Sequence, residues 1–227
     1  MRHLWMWGVV FVAALALGCG GGGTSNTGQL RFMQASLIAE QVQLLVNGTQ
    51  QATNLNYGNA TGYLTLRANS QHVQVLPVSG STTPILDTKI SINSTVPQTL
   101  LMTGTTGTIS SVLLNDANTT AVTGDINVRV VNASNRLGAA DVYILPAGSS
   151  IIGAVAVANG PFGFDQNTGY QLVASGGYQV VMAVPGTTNA VLSTGTINPA
   201  SSSLNQTVVV LDKTAAGGFT FTVLQDQ

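Results

Sequence analysis

The chain carries one sequence pattern twice, and this internal repeat restricts its possible folds more than any other feature. Residues 30–36 (LRFMQAS) return as residues 128–134 (VRVVNAS), and residues 42–48 (VQLLVNG) return as residues 142–148 (VYILPAG). The copies keep their order, and a spacing of about 100 residues suits one small β-sandwich for each copy. The repeat therefore predicts two folded units of the same kind in tandem.

Both copies consist of short runs rich in Val, Ile, Leu, Thr and Tyr, such as residues 178–184 and 208–211, separated by Gly, Pro, Asn and Ser. Asn47-Gly48 is typical of a hairpin turn, where a positive φ is tolerated. No window shows the apolar period of an amphipathic helix. We predict an all-β fold with two tandem immunoglobulin-like antiparallel β-sandwich domains, residues 29–123 and 124–227, of about seven or eight strands each.

The N-terminus has the pattern of a secretory signal. Arg2 and His3 form a basic start, and residues 4–17 form an apolar run that only Gly8 interrupts. This run is too short for a membrane-spanning helix, which needs about 20 apolar residues. We therefore expect residues 1–18 to be a signal peptide that is removed after export.

The end of this signal resembles a bacterial lipobox. Residues 16–20 read ALGCG, and Cys19 is the only cysteine of the chain. The resemblance implies cleavage before Cys19 and acylation of its thiol, whereas the alternative is an ordinary signal peptide with an incidental cysteine. Residues 19–28 are rich in Gly, Ser, Thr and Asn and predict a flexible linker. We expect a lipid-anchored protein of the cell envelope, in an outer membrane or at the cell surface, whose membrane contact is the lipid on Cys19.

Charged residues are scarce, and this scarcity excludes several classes of partner. They make up 7% of the chain, and 44% of the residues are hydrophobic. Nucleic-acid binding needs a basic patch that neutralises phosphates, and the scattered Lys and Arg residues form none. Any partner, such as a cell-surface protein or a glycan, must be recognised mainly by neutral hydrogen bonds and apolar contacts.

Several motifs resemble a known bacterial family. Residues 129–134 (RVVNAS), 141–144 (DVYI) and 176–180 (GGYQV) are similar to motifs of the family called domain of unknown function 4397. The first copy departs from the pattern, because residues 70–72 (SQH) replace Gly-Gly-Tyr, so that either Gln71 or His72 takes the place of Tyr178. The resemblance covers nearly all of residues 29–227. It implies secreted or lipid-anchored tandem domains with an immunoglobulin-like sandwich, no assigned activity and no agreed functional residues.

Groups that could carry catalysis are few. After removal of the signal, His72 is the only histidine, and we interpret it as a structural or surface residue. The eight acidic residues are scattered, mostly at strand ends or turns, and form no calcium-binding loop. No phosphate-binding loop or nucleophile elbow occurs. We expect no catalytic residues, no cofactor and no metal site, and therefore no enzymatic activity.

Arg31 and Arg129 stand at equivalent positions of the two copies and have two interpretations. Each alternates with apolar residues, so its side chain should face away from the core. Such a residue could clamp a carboxylate or a sugar. The interpretation that we favour is a role in the fold, with Asp141 of the same domain or a backbone carbonyl as the partner. Asp116 and Asp226 close the last strand of each copy, which also indicates a fold role.

The predicted mature chain contains no tryptophan, and its loop aromatics are few. Tyr57, Tyr63, Phe162 and Phe164 could form a small sugar-binding platform or cap the sandwich cores. Our main prediction is a non-enzymatic cell-envelope lipoprotein with a structural or interaction role. The alternative is a surface module that binds a glycan or a peptide, and a third hypothesis is a hydrolase that uses two of the carboxylates.

Overall fold

The computed structural model describes residues 26–38, 40–116, 124–174, 176–199, 205–214 and 217–227. Within these ranges the chain forms strands and no helix, and none of them holds a helix that could cross a membrane. The predicted all-β sandwich class is confirmed, whereas the immunoglobulin-like label stays a prediction. The predicted signal peptide, Cys19 and the boundary at residues 123 and 124 fall wholly or partly outside the described residues.

The first repeat folds into two four-stranded sheets. Its strands are β1 (Thr27–Gln34), β2 (Val42–Val46), β3 (Thr49–Leu55), β4 (Leu64–Arg67), β5 (Asn69–Pro77), β6 (Leu86–Ile92), β7 (Gln98–Thr105) and β8 (Thr108–Asn115). One sheet has the order β4-β1-β7-β8 and the other β3-β2-β5-β6. Because β1 begins at Thr27, the last residues of the predicted linker, Thr27 and Gly28, are strand residues.

The second repeat has the same arrangement. Its strands are β9 (Asp125–Asn132), β10 (Ala140–Pro146), β11 (Ala158–Phe162), β12 (Gln171–Ala174), β13 (Tyr178–Ala183), β14 (Ala190–Ser193), β15 (Asn205–Asp212) and β16 (Phe219–Asp226). The sheet orders are β12-β9-β15-β16 and β11-β10-β13-β14, which correspond to those of the first repeat.

One pairing in each repeat differs from the predicted antiparallel sandwich. β1 pairs with β7 in parallel, and β9 pairs with β15 in parallel, whereas the other ladders are antiparallel. A parallel pair needs a long connection, because the chain must return to the end where the first strand began. Here the strands of the opposite sheet supply that connection, which short-range turn signals cannot reveal.

Three apolar layers hold the four sheets together. Alternate side chains such as Leu30 and Phe32 enter the core of the first sandwich, and Val128 and Val130 enter the core of the second. The intervening side chains, Met33 among them, point to the opposite face. That face is buried against the other repeat by a third cluster, formed by Met33, Ala35, Leu101, Leu114, Val131, Ala133, Val209, Leu211 and Leu224. Full burial of one such side chain is worth about 1.5–3 kcal/mol, so the repeats pack as one body.

The last residues of β1 and β9 lie at the same end of the molecule. There the two repeats are joined by hydrogen bonds from Ser110 Oγ to Asp165 Oδ2 (2.8 Å) and from Thr222 Oγ1 to the carbonyl of Gly58 (3.3 Å). We call this end of the molecule the distal end. The opposite end, where β1 starts at Thr27, is called the proximal end.

The strand register corrects the expected place of His72. Tyr178 lies opposite Pro146, and in the first repeat Val73 lies opposite Val46, the residue equivalent to Pro146. Val73, rather than Gln71 or His72, therefore takes the place of the tyrosine. The sequence comparison gives a position one or two residues too early, because the first repeat lacks the Gly-Gly pair that marks this turn in the second.

His72 lies at the surface of β5. Its Nε2 atom is 2.6 Å from Asp87 Oδ1, and both side chains are exposed. Hydrogen bonds from His72 and from Gln74 lower the pKa of Asp87. This exposed position agrees with its interpretation as a surface residue.

Asp141 is not the partner of Arg129 that we expected. Its two carboxylate oxygens accept hydrogen bonds from the backbone N–H groups of Gly160 and Gly186, each at 2.7 Å. These bonds lower the pKa of Asp141, that of Gly160 having the larger effect. Asp141 thereby ties β10 to β11 and to the turn after β13.

We predict that Asp141→Asn lowers the free energy of unfolding at pH 7, because the amide cannot replace both acceptor oxygens. The pKa of Asp141 is lower in the folded state than the value of about 3.9 in an unfolded chain. Its contribution is therefore present above about pH 4 and is lost as the pH falls through the folded-state pKa. Urea denaturation at several pH values should show a deficit that shrinks below about pH 4. A deficit that is independent of pH would contradict this role.

Candidate functional site

Arg31 and Arg129 meet at the interface between the repeats. They are 4% and 3% exposed. Arg31 Nη2 pairs with Asp226, and its distance to Asp116 Oδ2 is 3.6 Å. Arg129 Nη2 lies 2.5 Å from Asp116 Oδ1 and 3.8 Å from Asp226 Oδ2. Each arginine therefore pairs most closely with the acidic residue that ends the last strand of the other repeat, and we call these four residues the Arg–Asp cluster.

Neutral partners complete the half of the cluster around Asp116. The Tyr63 hydroxyl donates a hydrogen bond to Asp116 Oδ2 at 2.7 Å, and the Thr99 hydroxyl donates one to the same oxygen. The Tyr63 ring lies 4.8 Å from the guanidinium carbon of Arg31, as in a cation–π contact. Burial, ahead of other causes, raises the pKa of Tyr63 above its usual value.

The half around Asp226 repeats this arrangement. Tyr170 donates to Asp226 Oδ2 at 2.7 Å, and Thr207 Oγ1 donates to the same atom at 2.6 Å. The Tyr170 ring lies 4.6 Å from the guanidinium carbon of Arg129. Burial likewise raises the pKa of Tyr170. The cluster is therefore neutral overall and hydrogen-bonded on both sides, as buried charges need to be.

These contacts decide between the two interpretations of Arg31 and Arg129. Both arginines serve the fold, which is the interpretation that we favour, and the charges that a ligand clamp would need are already paired. The prediction of Asp141 as their partner is wrong. The predicted bond to a backbone carbonyl is present, because Arg31 Nη1 donates to the carbonyl of Gln225 at 2.8 Å. Arg129 Nη1 donates in the same way to the carbonyl of Asn115 at 2.9 Å.

A cleft of about 570 Å³ opens between the repeats at the distal end. Its lining residues come from both repeats and are Ile38, Glu40, Asn56, Tyr57, Asp212, Lys213, Thr214 and Thr220. We call it the inter-repeat cleft. Its volume falls in the range that is typical of small-ligand sites.

The two repeats differ at one pair of equivalent positions beside their interface. The backbone N–H of Gly58 donates to the carbonyl of Gln34, and that of Asp165 donates to Asn132 in the same way, each at 2.8 Å. Gly58 and Asp165 are thus equivalent, and both have a positive φ. On the Asp165 side a hydrogen bond from Ser110 closes the gap between the repeats.

On the other side, Thr220 takes the place of Ser110, because Thr220 pairs with Leu211 as Ser110 pairs with Thr103. Gly58 has no side chain that Thr220 could reach, and there Thr222 makes the contact between the repeats, because its Oγ1 donates to the Gly58 carbonyl at 3.3 Å. The inter-repeat cleft lies on this side, next to Tyr57 and Thr220.

Tyr57 presents its ring rather than its hydroxyl to the cleft. The hydroxyl oxygen is buried. Burial, followed by the negative charge of Asp212, raises the pKa of Tyr57 to about 12. The hydroxyl therefore stays protonated at physiological pH, and the ring is the part of the side chain that a ligand would meet.

Asp212 lies under the cleft, but its carboxylate is already bonded. It accepts hydrogen bonds from Ser134 Oγ at 2.6 Å and from the Asn135 backbone N–H at 3.0 Å, and the residue is 1% exposed. Glu40, on the cleft rim, accepts a bond from Ser79 Oγ at 2.8 Å. Asp212 is thus held as a structural acceptor rather than as an open general base.

A second cavity of about 460 Å³ adjoins the cleft and shares Ile38 and Glu40 with it. Its other lining residues are Pro77, Ile85, Thr106, Gly107 and Ile109. Ile38, Ile85 and Ile109 pack against the core of the first sandwich. This cavity, which we call the aliphatic cavity, is therefore the open distal mouth of that sandwich.

The four loop aromatics do not form the single platform that we considered. Tyr57 lines the cleft, Tyr63 belongs to the surroundings of the Arg–Asp cluster, and Phe162 lies in the core of the second sandwich. Phe164 is half-buried at the position equivalent to Tyr57. Sequence reasoning missed the cleft because its walls come from distant parts of both repeats. The described residues also contain no group of three His, Cys, Asp or Glu side chains that could hold a metal ion.

The fold and the cluster define a class of protein, a pair of β-sandwich repeats that are joined face to face by crossed ion pairs. The chain belongs to the family described as "Domain of unknown function (DUF4397)", whose model matches residues 28–143. The matched range covers the first repeat and continues through β9 into β10. A search of curated proteins found no match to the chain.

Solved structures that are similar to the chain include two carbohydrate-binding modules. One is the family CBM26 module of Eubacterium rectale Amy13K in complex with maltoheptaose, with 11% identity and a TM-score of 0.29, covering 88% of this chain and 97% of that chain. The other is described as alpha-glucan recognition by family 41 modules from streptococcal virulence factors, with 14% identity and a TM-score of 0.27, covering 80% and 93%. A likeness at these TM-scores assigns no ligand to this chain.

We predict that Arg31→Ala lowers the free energy of unfolding by about 3–5 kcal/mol, because Asp226 would keep a buried charge without its closest cation. Urea denaturation of the chain without residues 1–19 measures the effect. Arg67→Ala, which removes an exposed arginine at the end of β4, is the control and should change stability by less than about 0.5 kcal/mol. Equal effects of the two substitutions would contradict a role of the cluster in joining the repeats.

Proposed function

We propose that this protein is a non-enzymatic, lipid-anchored protein of the cell envelope that binds a glycan in the inter-repeat cleft. The observation that carries the proposal is the position of the cleft, which opens at the distal end, opposite the start of β1. The anchor follows from the lipobox-like residues around Cys19, and the outer membrane or the cell surface is the location that they favour.

The anchor and the cleft are compatible in space. Eight residue steps separate Cys19 from Thr27, so the start of β1 cannot lie more than about 29 Å from the anchored residue. The proximal end would therefore lie close to the membrane. Strands of eight residues, such as β1, extend about 26 Å, so the cleft would face the surroundings of the cell.

The lining of the cleft favours a neutral, hydroxyl-rich ligand. The Tyr57 ring offers an apolar face on which a sugar ring can stack. Asn56, Thr214 and Thr220 supply neutral hydrogen-bonding groups, and the two exposed charges of the lining, Glu40 and Lys213, are of opposite sign. A peptide that binds by adding a strand would need a free sheet edge along the site, whereas the cleft is lined mainly by loops and strand ends. A glycan is therefore the better fit of the two ligands in our alternative prediction.

The absence of catalysis rests on the same lining. Of its two acidic residues, Asp212 is held by Ser134 and Asn135 beneath the surface, and Glu40 is exposed at the rim. Glycoside hydrolysis needs two carboxyl groups that flank the scissile bond, one of them able to give up a proton. Asp212, which is buried and already bonded, is poorly placed for either task.

We predict that Cys19→Ala moves the protein from the membrane fraction to the soluble fraction, because no acyl chain can then be attached. Fractionation of cells and detection of the protein measure the change, and globomycin, which blocks the signal peptidase of lipoproteins, should prevent processing of the unaltered chain. Ser25→Ala, a linker change that spares the thiol, is the control. Unchanged membrane retention of the Cys19→Ala protein would contradict the anchor.

We predict that glycan binding is weakened about tenfold or more by Tyr57→Ala, which removes the stacking face. A glycan array followed by calorimetry with the best ligand measures the effect.

Phe164→Ala is the matched control for Tyr57→Ala, because it removes an aromatic side chain from the position in the second repeat that is equivalent to Tyr57. It should leave the affinity unchanged. Equal losses in Tyr57→Ala and Phe164→Ala, or the absence of any bound glycan at millimolar concentrations, would contradict the proposal.

A further inference from the structure

The proposed stacking of a sugar ring on Tyr57 uses only the inter-repeat cleft. It leaves the adjoining aliphatic cavity without a role. We propose that the ligand is a chain of N-acetylated amino sugars, with a sugar ring on Tyr57 and an N-acetyl methyl group in the aliphatic cavity. This inference rests on the proposed glycan binding and specifies the class of glycan.

The walls of the cavity suit a small apolar group. Ile38, Ile85, Ile109 and Pro77 supply aliphatic carbon on several sides. The three isoleucines pack against the core of the first sandwich, so the floor of the cavity is continuous with that core. The isoleucine and proline side of the cavity offers no hydrogen bond to a sugar hydroxyl. A methyl group needs none, and its burial there favours binding about fourfold.

Glu40 is placed to recognise the amide of the same substituent. It is the one acidic residue that lines both cavities, and it stands where they join. Glu40 Oε2 accepts a hydrogen bond from Ser79, and an ionised carboxylate has further acceptor capacity. An acetamido group carries one N–H donor next to a methyl group. Glu40 beside the isoleucines offers the complementary pair, an acceptor next to an apolar wall.

The size of the site favours a chain of sugars over a single one. The two cavities measure about 570 and 460 Å³ and meet at Ile38 and Glu40. Each alone falls within the usual range for a small-ligand site. A ligand that stacks on Tyr57 in one and reaches the isoleucines in the other must therefore extend across Glu40, as an oligosaccharide does.

Three tetrasaccharides with the same β-1,4 backbone test the inference by calorimetry with the full-length acylated protein in detergent. They are built of N-acetylglucosamine, of glucosamine and of glucose. We expect the acetylated ligand to bind at least about tenfold more tightly than the other two. Equal or tighter binding of the glucosamine tetrasaccharide would show that Glu40 attracts a cation rather than an amide, and would overturn the inference.

Variants separate the contribution of the cavity from that of Tyr57. Ile85→Thr keeps the branched shape but makes the wall polar, and it should weaken the acetylated ligand several-fold while leaving the glucose ligand unchanged. Glu40→Gln should also weaken only the acetylated ligand. Val191→Thr, a similar change on exposed β14 in the second repeat, is the control and should have no effect.

The outcomes distinguish this inference from the proposed function. If the acetylated ligand does not bind, or binds no better than the glucose ligand, the inference is overturned. If the glucose ligand nevertheless binds and Tyr57→Ala abolishes that binding, the proposed glycan site stands. If no glycan of any kind binds, both fail.

Discussion

The crossed pairing of two arginines with two aspartates is the interaction on which the rest of the molecule depends. Each repeat supplies one arginine and one aspartate, but the closest pairs form between the repeats, Arg31 with Asp226 and Arg129 with Asp116. A repeat on its own would expose an apolar face together with an arginine and an aspartate whose closest partners are missing. The loss of one partner of a buried pair is strongly destabilising. The cluster therefore fixes how the sandwiches face each other, and the position of every residue in the inter-repeat cleft follows from that arrangement.

The cleft lies on one flank of an interface that is otherwise nearly symmetric. Two equivalent repeats that face each other should close both flanks of their interface alike. The side chains of Ser110 and Asp165 bond across one flank, whereas across the other Thr222 bonds to the backbone carbonyl of Gly58, next to the cleft. A cleft on one side of a nearly symmetric frame therefore needs no new element of structure.

The sequence was sufficient for the local features and insufficient for those that depend on the packing of the repeats. Alternating apolar residues predicted the strands, and Asn47-Gly48 predicted a turn in which both residues have a positive φ, as they do. The equivalence of Arg31 with Arg129 and of Asp116 with Asp226 was visible too, together with a role in the fold. Their pairing was not, because alternation tells which face a side chain occupies and not what covers that face. The same limit hid the cleft, whose walls are far apart in the sequence. The predicted equivalence of Gln71 or His72 with Tyr178 was wrong for a local reason, because the turn before them lacks the Gly-Gly pair of the second repeat.

The scarcity of charge acquires a physical meaning once the cluster is known. Four of the fifteen Lys, Arg, Asp and Glu residues of the chain lie in this one buried group. More than a quarter of the few charged side chains are thus used where a buried, directional contact selects one arrangement of two sheets that are otherwise apolar. At the distal end the cleft is lined by amide and hydroxyl groups, aliphatic carbon, one aromatic ring and two exposed charges of opposite sign, Glu40 and Lys213. Such a surface cannot attract polyanions over a distance, because long-range steering needs net charge. It can discriminate among neutral ligands by shape, since an unpaired hydroxyl against an aliphatic wall is penalised while a methyl group is not. The same sparing use of charge that fixes the fold therefore also limits the kind of ligand to which the proposed site could be complementary.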